Sequence, residues 1–461
     1  MSPEWYTILL CADYFLLAFV IAVNAVWLVQ IITYSSVLRK YVRSLQYVDY
    51  KRFLDSEHMA PVSLIVPVYG DLTAILDSVQ NLLSLDFPEY ELILVNDGSQ
   101  EGALEMLADT FRLLPFRQPY KRTLKTEPVK MIYRSAADVR LIVLDKENGG
   151  LADAMNAGVN VASYPVIVSV RAGVILDKSA LNKIVYTFVS DPGCIIVGGA
   201  ARVKGEAASE GTRRMGIHKA VAGLQVTLRL RDLFAGAPWF GVLGMLPGVP
   251  AAFGAFGKAA VIEAGGYSCS CVCEDMELAI KLHGFMRCKK RKYSVRFLPD
   301  PIGWIRPLER FSDLEKQRKR LHGCLIDLLL GYKERLGNPK HGWAGAFCLA
   351  YYWAFEWIAP LVITLGFLLV PLSCILGVVG LWFMLSYFIV AALFGAVVSA
   401  GALLLEENAF GKKNDLKRLQ RLFFIAVAEN FGWRQIDTVC KAENAIRHGK
   451  HGRRRVRRDD G

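Results

Sequence analysis

Two blocks of nearly unbroken apolar residues flank a long stretch in which apolar and polar positions alternate over short distances. The first block runs from about Ile8 to Tyr34 and the second from about Gly345 to Leu405. Each exceeds the roughly 20 residues that cross a bilayer as a helix. The second is long enough for two spans, turning around Pro371 to Gly377. No basic residue precedes the first block, which is also too long for a cleaved signal. The first basic residues of the chain, Arg39, Lys40 and Arg43, follow it directly. The positive-inside rule therefore puts the N-terminus outside and the next domain in the cytosol. Lys412, Lys413, Lys417 and Arg418 follow the second block on the same inner side. The segment Leu419 to Val439 is apolar but carries Glu429, Asn430 and Arg434, and reads as an amphipathic helix lying in the interface. Three spans plus that helix are expected, in the plasma (inner) membrane.

Between the blocks, residues 60–200 alternate short β-rich runs with amphipathic helical patterns, which predicts βαβ units and a parallel sheet. Strands are predicted at Val62–Val68, Glu91–Asn96, Leu141–Leu144 and Val166–Val170. Helices are predicted at Leu72–Leu85, after Asp97-Gly98-Ser99, and at Gly150–Val161. Pro115–Asp138 reads as a polar insertion. Ligands of such sheets bind beyond the carboxyl ends of the strands, which points to Pro67–Asp71, Asn96-Asp97-Gly98, Lys146–Gly150 and Arg171–Gly173.

Composition agrees with a membrane protein carrying a large water-soluble domain. Of 461 residues, 53% are hydrophobic and 21% charged, and the mean hydropathy is +0.29. Disorder and a simple soluble enzyme are excluded. The net charge is +12, but Arg447 to Gly461 alone holds seven Lys or Arg and two Asp. The rest is only modestly basic and does not call for nucleic acid. Membrane lipid is the expected partner of the tail, although its Arg-x-x-x-Arg spacing could also clamp phosphates such as those of cyclic di-GMP. The ten cysteines fit no disulfide framework, since Cys11, Cys348 and Cys374 fall in the spans. Cys269, Cys271 and Cys273 would face one way on an extended segment, with Cys288 or His283 as a conceivable fourth metal ligand. Their spacing is not that of zinc sites, and reduced thiols are the better reading.

Several pieces carry chemistry weakly when taken alone. Asp97, at a strand end, can accept hydrogen bonds from a base or ribose, or simply end a strand. Lys146-Glu147-Asn148-Gly149-Gly150 before a helix offers backbone N–H groups to an anion. Glu274-Asp275, just before an amphipathic helix at Met276–His283, could deprotonate a hydroxyl or merely suit a helix dipole. Gln317 and Arg320 share a helix face, suiting a diphosphate or a membrane surface.

In order and spacing, however, Pro67-Val68-Tyr69, Asn96-Asp97-Gly98-Ser99, Glu147-Asn148-Gly149-Gly150, Glu274-Asp275 and Gln317-x-x-Arg320 resemble the family 2 membrane glycosyltransferases. Gly254-Ala255-Phe256-Gly257, Ala264-Gly265-Gly266-Tyr267, and Tyr351-Tyr352-Trp353 leading to Glu356 and Pro360 extend the likeness over nearly the whole chain. It is most similar to the branch making poly-N-acetylglucosamine, hyaluronan and related exopolysaccharides. The resemblance implies an α/β GT-A (Rossmann-like) cytosolic domain plus α-helical transmembrane segments. It implies a nucleotide-sugar donor, usually UDP-linked, and a polysaccharide acceptor that can leave through a channel between the spans, with further complex subunits as possible partners. Pro67, Tyr69, Asp97, Asn148, Gly149 and Arg171 would lie along the nucleotide sugar. Asp275 would be the general base with Glu274 beside it, and Gln317 and Arg320 would hold the leaving diphosphate. Ala235–Ala252 would be a mobile element near the acceptor entrance.

Three positions depart from the family pattern. Its Asp-x-Asp, which holds Mg²⁺ or Mn²⁺, aligns with Arg171-Ala172-Gly173, so the expected metal lacks its ligands. The usual lysine after Asn-Gly-Gly is Leu151, and the usual tryptophan after Gln-x-x-Arg is Leu321. Two readings follow: a transferase working with little or no metal, its diphosphate met by Arg171, or a catalytically silent relative that binds a partner, nucleotide or glycan. The expected organisation is a span over 1–38, the GT-A domain over 39–310, an amphipathic region with Gln-x-x-Arg over 311–343, two spans over 344–408, an interfacial helix over 409–445 and a basic tail over 446–461.

Overall fold

The computed structural model describes residues 3–45, 59–69, 72–98, 102–117, 119–204, 216–234, 236, 241, 253–268, 273–333, 347–411 and 416–455. Chain contacts divide it into two compact units. One is Ser44–Lys204 with Phe240–Arg306; the other is Met1–Arg43, Gly205–Trp239 and Pro307–Gly461.

The first unit is built on a sheet. In chain order its strands are β1 (Val62–Val68), β2 (Tyr90–Asp97), β3 (Leu113–Pro115), β4 (Val129–Ser135), β5 (Leu141–Lys146), β6 (Val166–Val170), β7 (Ile175–Leu176), β8 (Cys194–Val203), β9 (Phe253–Gly257) and β10 (Ser294–Ile305). They lie side by side in the order β3-β4-β5-β2-β1-β6-β9-β8-β10-β7. The central four, β5-β2-β1-β6, are parallel. Every residue of β1 and of β6 is buried. This accounts for the continuous Val/Ile/Leu runs, which a strand covered on both faces requires.

Helices Leu72–Leu83, Ala103–Phe111 and Leu151–Val161 follow β1, β2 and β5. The last is buried along almost its whole length. It can sit low on the sheet because Gly158 leaves the space that Ile65 of β1 occupies; a Cβ there would collide with the isoleucine. Its three buried polar side chains each pin a neighbouring segment. Asp153 accepts from the Glu127 amide, Asn156 pairs with both backbone groups of Tyr267, and Asn160 pairs with the backbone of Thr123 and Leu124.

The polar insertion at Pro115–Asp138 is not wholly irregular. Val129–Ser135 forms β4, antiparallel to β5, and β3 adds beyond it. Only Ile132 and Ser135 of β4 are buried, so this edge strand lacks the apolar run that marks its neighbours. Beyond β6 the sheet turns antiparallel through β9, and β10 runs parallel to β8.

The second unit is helical. Among the described residues three helices are long and apolar enough to cross a membrane: Pro3–Leu45, Leu349–Ile375 and Leu381–Phe410. The break in the second apolar block lies at residues 376–380, with Gly377 at φ +72°, and Pro371 stays inside the helix before it. The segment expected as one interfacial helix is two, Leu416–Ala428 and Trp433–Arg455, separated by a 3₁₀ turn and by Gly432 at φ +154°.

The polar residues that mark this segment turn inward rather than toward an interface. Glu429 is fully buried and accepts from Ser399 Oγ (2.5 Å), Thr227 Oγ1 (2.8 Å) and Arg231 (3.4 Å). Arg434 donates to Asn24 and Asn430 and lies over the Trp27 ring. Its guanidinium rests against Gly395, where a Cβ would collide with it. Glu356 is paired with Lys441 at 2.8 Å. Asp13, passed over in the sequence, is a buried carboxyl in the first of the three helices.

Candidate active site

The carboxyl ends of β1, β2, β5 and β6 share one edge of the sheet, and the sequence-predicted residues of this unit gather there in two neighbouring clusters. The first forms where β2 and β5 end. Asp97 accepts from Lys146 Nζ at 2.6 Å, from the Gly149 amide at 3.0 Å and from the Gly150 amide at 2.7 Å. Lys146 has no exposed side-chain surface and also meets Asp153 at 2.6 Å. Burial works against its charge, but the bonds to Asp153 and Asp97 outweigh it and raise its pKa. The glycine amides after Asn148, expected to cradle an external anion, thus hold the chain's own Asp97. Gly98, at φ +62°, packs directly on Asn148, with only 3.0 Å between an added Cβ and the Asn148 Cβ; Asn148 itself is exposed.

The second cluster forms where β6 ends and the helix Glu274–Cys288 begins. Glu274 and Asp275 are the first two residues of that helix rather than lying before it, so their charges meet its positive end. Asp275 is buried and accepts from Ser169 Oγ at 2.9 Å and Tyr267 OH at 3.3 Å. Burial raises its pKa, against the lowering effects of Arg171 and of those two hydroxyls. The Tyr267 hydroxyl is pushed well up by burial and by the Asp275 charge. Arg171 lies 3.8 Å from Glu274 with 27% of its side chain exposed. Burial opposes its charge, but Asp275, Tyr69 and Glu274 together hold it firmly protonated. Pro67 is buried within β1 and Tyr69, just past it, is exposed.

Lys146, Ser169 and Tyr267 were not singled out as site residues. Tyr267 had a signal in Ala264-Gly265-Gly266-Tyr267, where both glycines take positive φ and Asn156 fixes the tyrosine backbone. Gln317 and Arg320 belong to the helical unit, on the helix Phe311–Gly331. Gln317 is half-buried and Arg320 exposed. Their neighbour Arg318 is the structural arginine of that run, paired with Asp232 (2.5 Å) and Asp437 (3.1 Å). The Ala235–Ala252 element lies almost wholly outside the described residues, as do Cys269 and Cys271. Of their conceivable partners, His283 is bonded to Tyr293 OH at 2.8 Å.

A doubly wound sheet carrying its polar residues on the carboxyl edge is a nucleotide-binding arrangement in general terms. The family model for glycosyl transferase family 2 matches residues 63–225, from the first residues of β1 to the helix after β8. Residues 63–225 form a family 2 glycosyl transferase domain. Over 309 residues the chain is 25% identical to the poly-beta-1,6-N-acetyl-D-glucosamine synthase of Staphylococcus epidermidis, covering 66% of this chain and 63% of that one. The protein of the same name in Staphylococcus aureus is 24% identical over 308 residues, with the same coverage. The chain therefore matches less than two thirds of the length of these relatives. A solved mannosyltransferase, PcManGT from Pyrobaculum calidifontis in complex with GDP-Man and Mn²⁺, shares the fold with a TM-score of 0.52. It is 16% identical and covers 91% of this chain and 99% of its own. The transferase domain thus has the GT-A fold that the resemblance implied, in a chain with three helices able to span a membrane.

Proposed function

We propose that the protein transfers a sugar from a nucleotide sugar, UDP-linked by its resemblance, to the end of a growing cell-surface or extracellular polysaccharide. The observation that supports this most is the Asp275 carboxylate, buried at the carboxyl edge of the sheet between two hydroxyl donors and beside a cation. In the step it would serve, Asp275 takes the proton of the acceptor hydroxyl. The freed oxygen bonds to the anomeric carbon of the donor sugar. The bond from that carbon to the diphosphate breaks, and its electron pair leaves on the phosphate oxygen. A carboxyl raised by burial is a stronger base than an ordinary aspartate, as general base catalysis at neutral pH requires.

Pro67, Tyr69, Asp97, Asn148 and Gly149 border the edge where the nucleotide would lie, and Glu274 holds Arg171 beside the base. The resemblance gives Gln317 and Arg320 the leaving diphosphate, a role that Arg320→Ala tests. The transferase unit would face the cytosol, as Arg39, Lys40 and Arg43 after the first span require.

Membranes containing only this protein, supplied with labelled UDP- and GDP-sugars, test the reading. Transfer by the wild type and its fall by about 10²- to 10⁴-fold in Asp275→Asn are expected. Transfer unchanged in the variant removes Asp275 as the base. Nucleotide binding without transfer from any donor would favour a silent binding subunit of a synthesis complex.

A further inference from the structure

The divalent ion expected of this family does not fit the residues present. Mg²⁺ and Mn²⁺ are held by oxygen ligands, carboxylates above all. Where β6 ends, the turn is well formed, with the Val174 amide bonded to the Arg171 carbonyl at 3.1 Å and Gly173 at φ +81°. Its side chains are those of Arg171 and Ala172, which offer a guanidinium and a methyl group.

The carboxylates nearby are committed elsewhere. Asp97 and Asp153 converge on Lys146, Asp145 accepts from Asn96 at 2.8 Å, Asp275 accepts from Ser169 and Tyr267, and Glu274 faces Arg171. Among the described residues no three His, Cys, Asp or Glu form a group able to hold a metal. A divalent ion beside Glu274 would also meet the guanidinium already there.

We infer that this site binds the diphosphate of its nucleotide sugar without a divalent ion, and that the Arg171 guanidinium supplies the fixed positive charge in its place. The inference rests on the donor reading above and deepens it. A guanidinium presents two parallel N–H groups to a pair of phosphate oxygens and cannot be lost to a chelator. Arg171 suits the task because its partner leaves it partly open: it is 3.8 Å from Glu274, beyond hydrogen-bond length, and 27% exposed. Glu274 and Asp275 keep it charged, and its position just beyond β6 sets it on the edge where such sheets take their ligands.

The test is a binding titration of the full chain in lipid nanodiscs with UDP, GDP and uridine, in chelator and then in Mg²⁺ or Mn²⁺. The wild type should bind a nucleoside diphosphate in chelator with an affinity within about twofold of that in metal. Arg171→Ala should weaken the diphosphate by roughly 10- to 100-fold, as for loss of charge-assisted hydrogen bonds, and leave uridine unchanged. Arg171→Lys, which keeps the charge but not the fork, should fall between. A tenfold or greater gain on adding Mn²⁺ to the wild type overturns the inference, as does Arg171→Ala binding diphosphate as well as the wild type. The chelator arm needs no variant, so misfolding of Arg171→Ala does not rescue the idea. Failure of both UDP and GDP to bind under every condition overturns the donor reading itself, and this inference with it.

Discussion

Replacing Lys146 with methionine isolates the energy stored beneath the candidate site. The ammonium is wholly buried and lies 2.6 Å from both Asp97 and Asp153, whose side chains are only 13% and 6% exposed. Methionine fills nearly the same length, so little cavity accompanies the change. Two carboxylates would then be left with amide donors alone, Gly149 and Gly150 for Asp97 and Glu127 for Asp153. Breaking a buried ion pair by removing one partner costs about 3–5 kcal/mol, because the remaining charge is uncompensated. For a unit of this size, each kcal/mol moves the midpoint by about 2–4 °C. A thermal scan of the full chain in detergent should therefore show the transferase-unit transition falling by roughly 6–20 °C. Changing all three residues together, Lys146→Met with Asp97→Asn and Asp153→Asn, should recover most of the loss, since neutral groups of similar size replace buried ions at little cost. A midpoint for Lys146→Met within about 2 °C of wild type, less than 1 kcal/mol, would refute the buried triad.

The acidic limb of the transfer rate should lie above the ordinary aspartate range, because burial raises Asp275; the ionised form is the base, so transfer is lost as pH falls through that raised value. Ser169→Ala removes a hydroxyl that stabilises the ionised form and should move the limb up by roughly one to two pH units, from about 1.5–3 kcal/mol per charged hydrogen bond at 1.36 kcal/mol per unit. An unmoved limb would mean that another group titrates. Gly158→Val should destabilise the transferase unit by about 1–3 kcal/mol through overpacking against Ile65, read as a lower midpoint. In the helical unit, Glu429→Ala should remove the carboxylate paired with Arg231 and cost about 3–5 kcal/mol, read as faster proteolysis in detergent; a variant as resistant as the wild type would contradict the burial of this pair.

The elements that sequence periodicity located best are those buried on both sides. Val62–Val68 and Val166–Val170 coincide with their strands, because a fully covered strand has no solvent-facing positions to blur its ends. The edge strand β4 was missed because Lys130 and Arg134 interrupt its apolar positions and it draws its order from pairing with β5. The break between the last two apolar helices overlaps only the end of the range expected, because Pro371 is tolerated within a helix and the chain leaves it at Gly377, where φ is +72°. Asp97 and Arg171 stand where β2 and β6 end and Asp275 at a helix start, positions that motif spacing and likeness singled out in the sequence. The burial of Lys146 could not be read there: in sequence it begins a polar run, and only the approach of Asp97 and Asp153 compensates its buried charge. Glu429 looked like an interfacial residue for the same reason, since Thr227 and Arg231 lie far from it along the chain.

The contact between Arg434 and Asn24 joins residues 410 positions apart in the chain. Asn24 sits on the first described helix, and Arg434 on the last. At roughly 5–20 residues per second, a ribosome exposes Asn24 on the order of 20–80 seconds before its arginine exists. Through that interval the Asn24 side-chain oxygen lacks this donor, while its NH2 group stays bonded to the Val20 carbonyl of its own helix. This closure of the helical unit therefore waits until Arg434 has been made, and a nascent chain stalled before it would leave the Asn24 side-chain oxygen without its arginine.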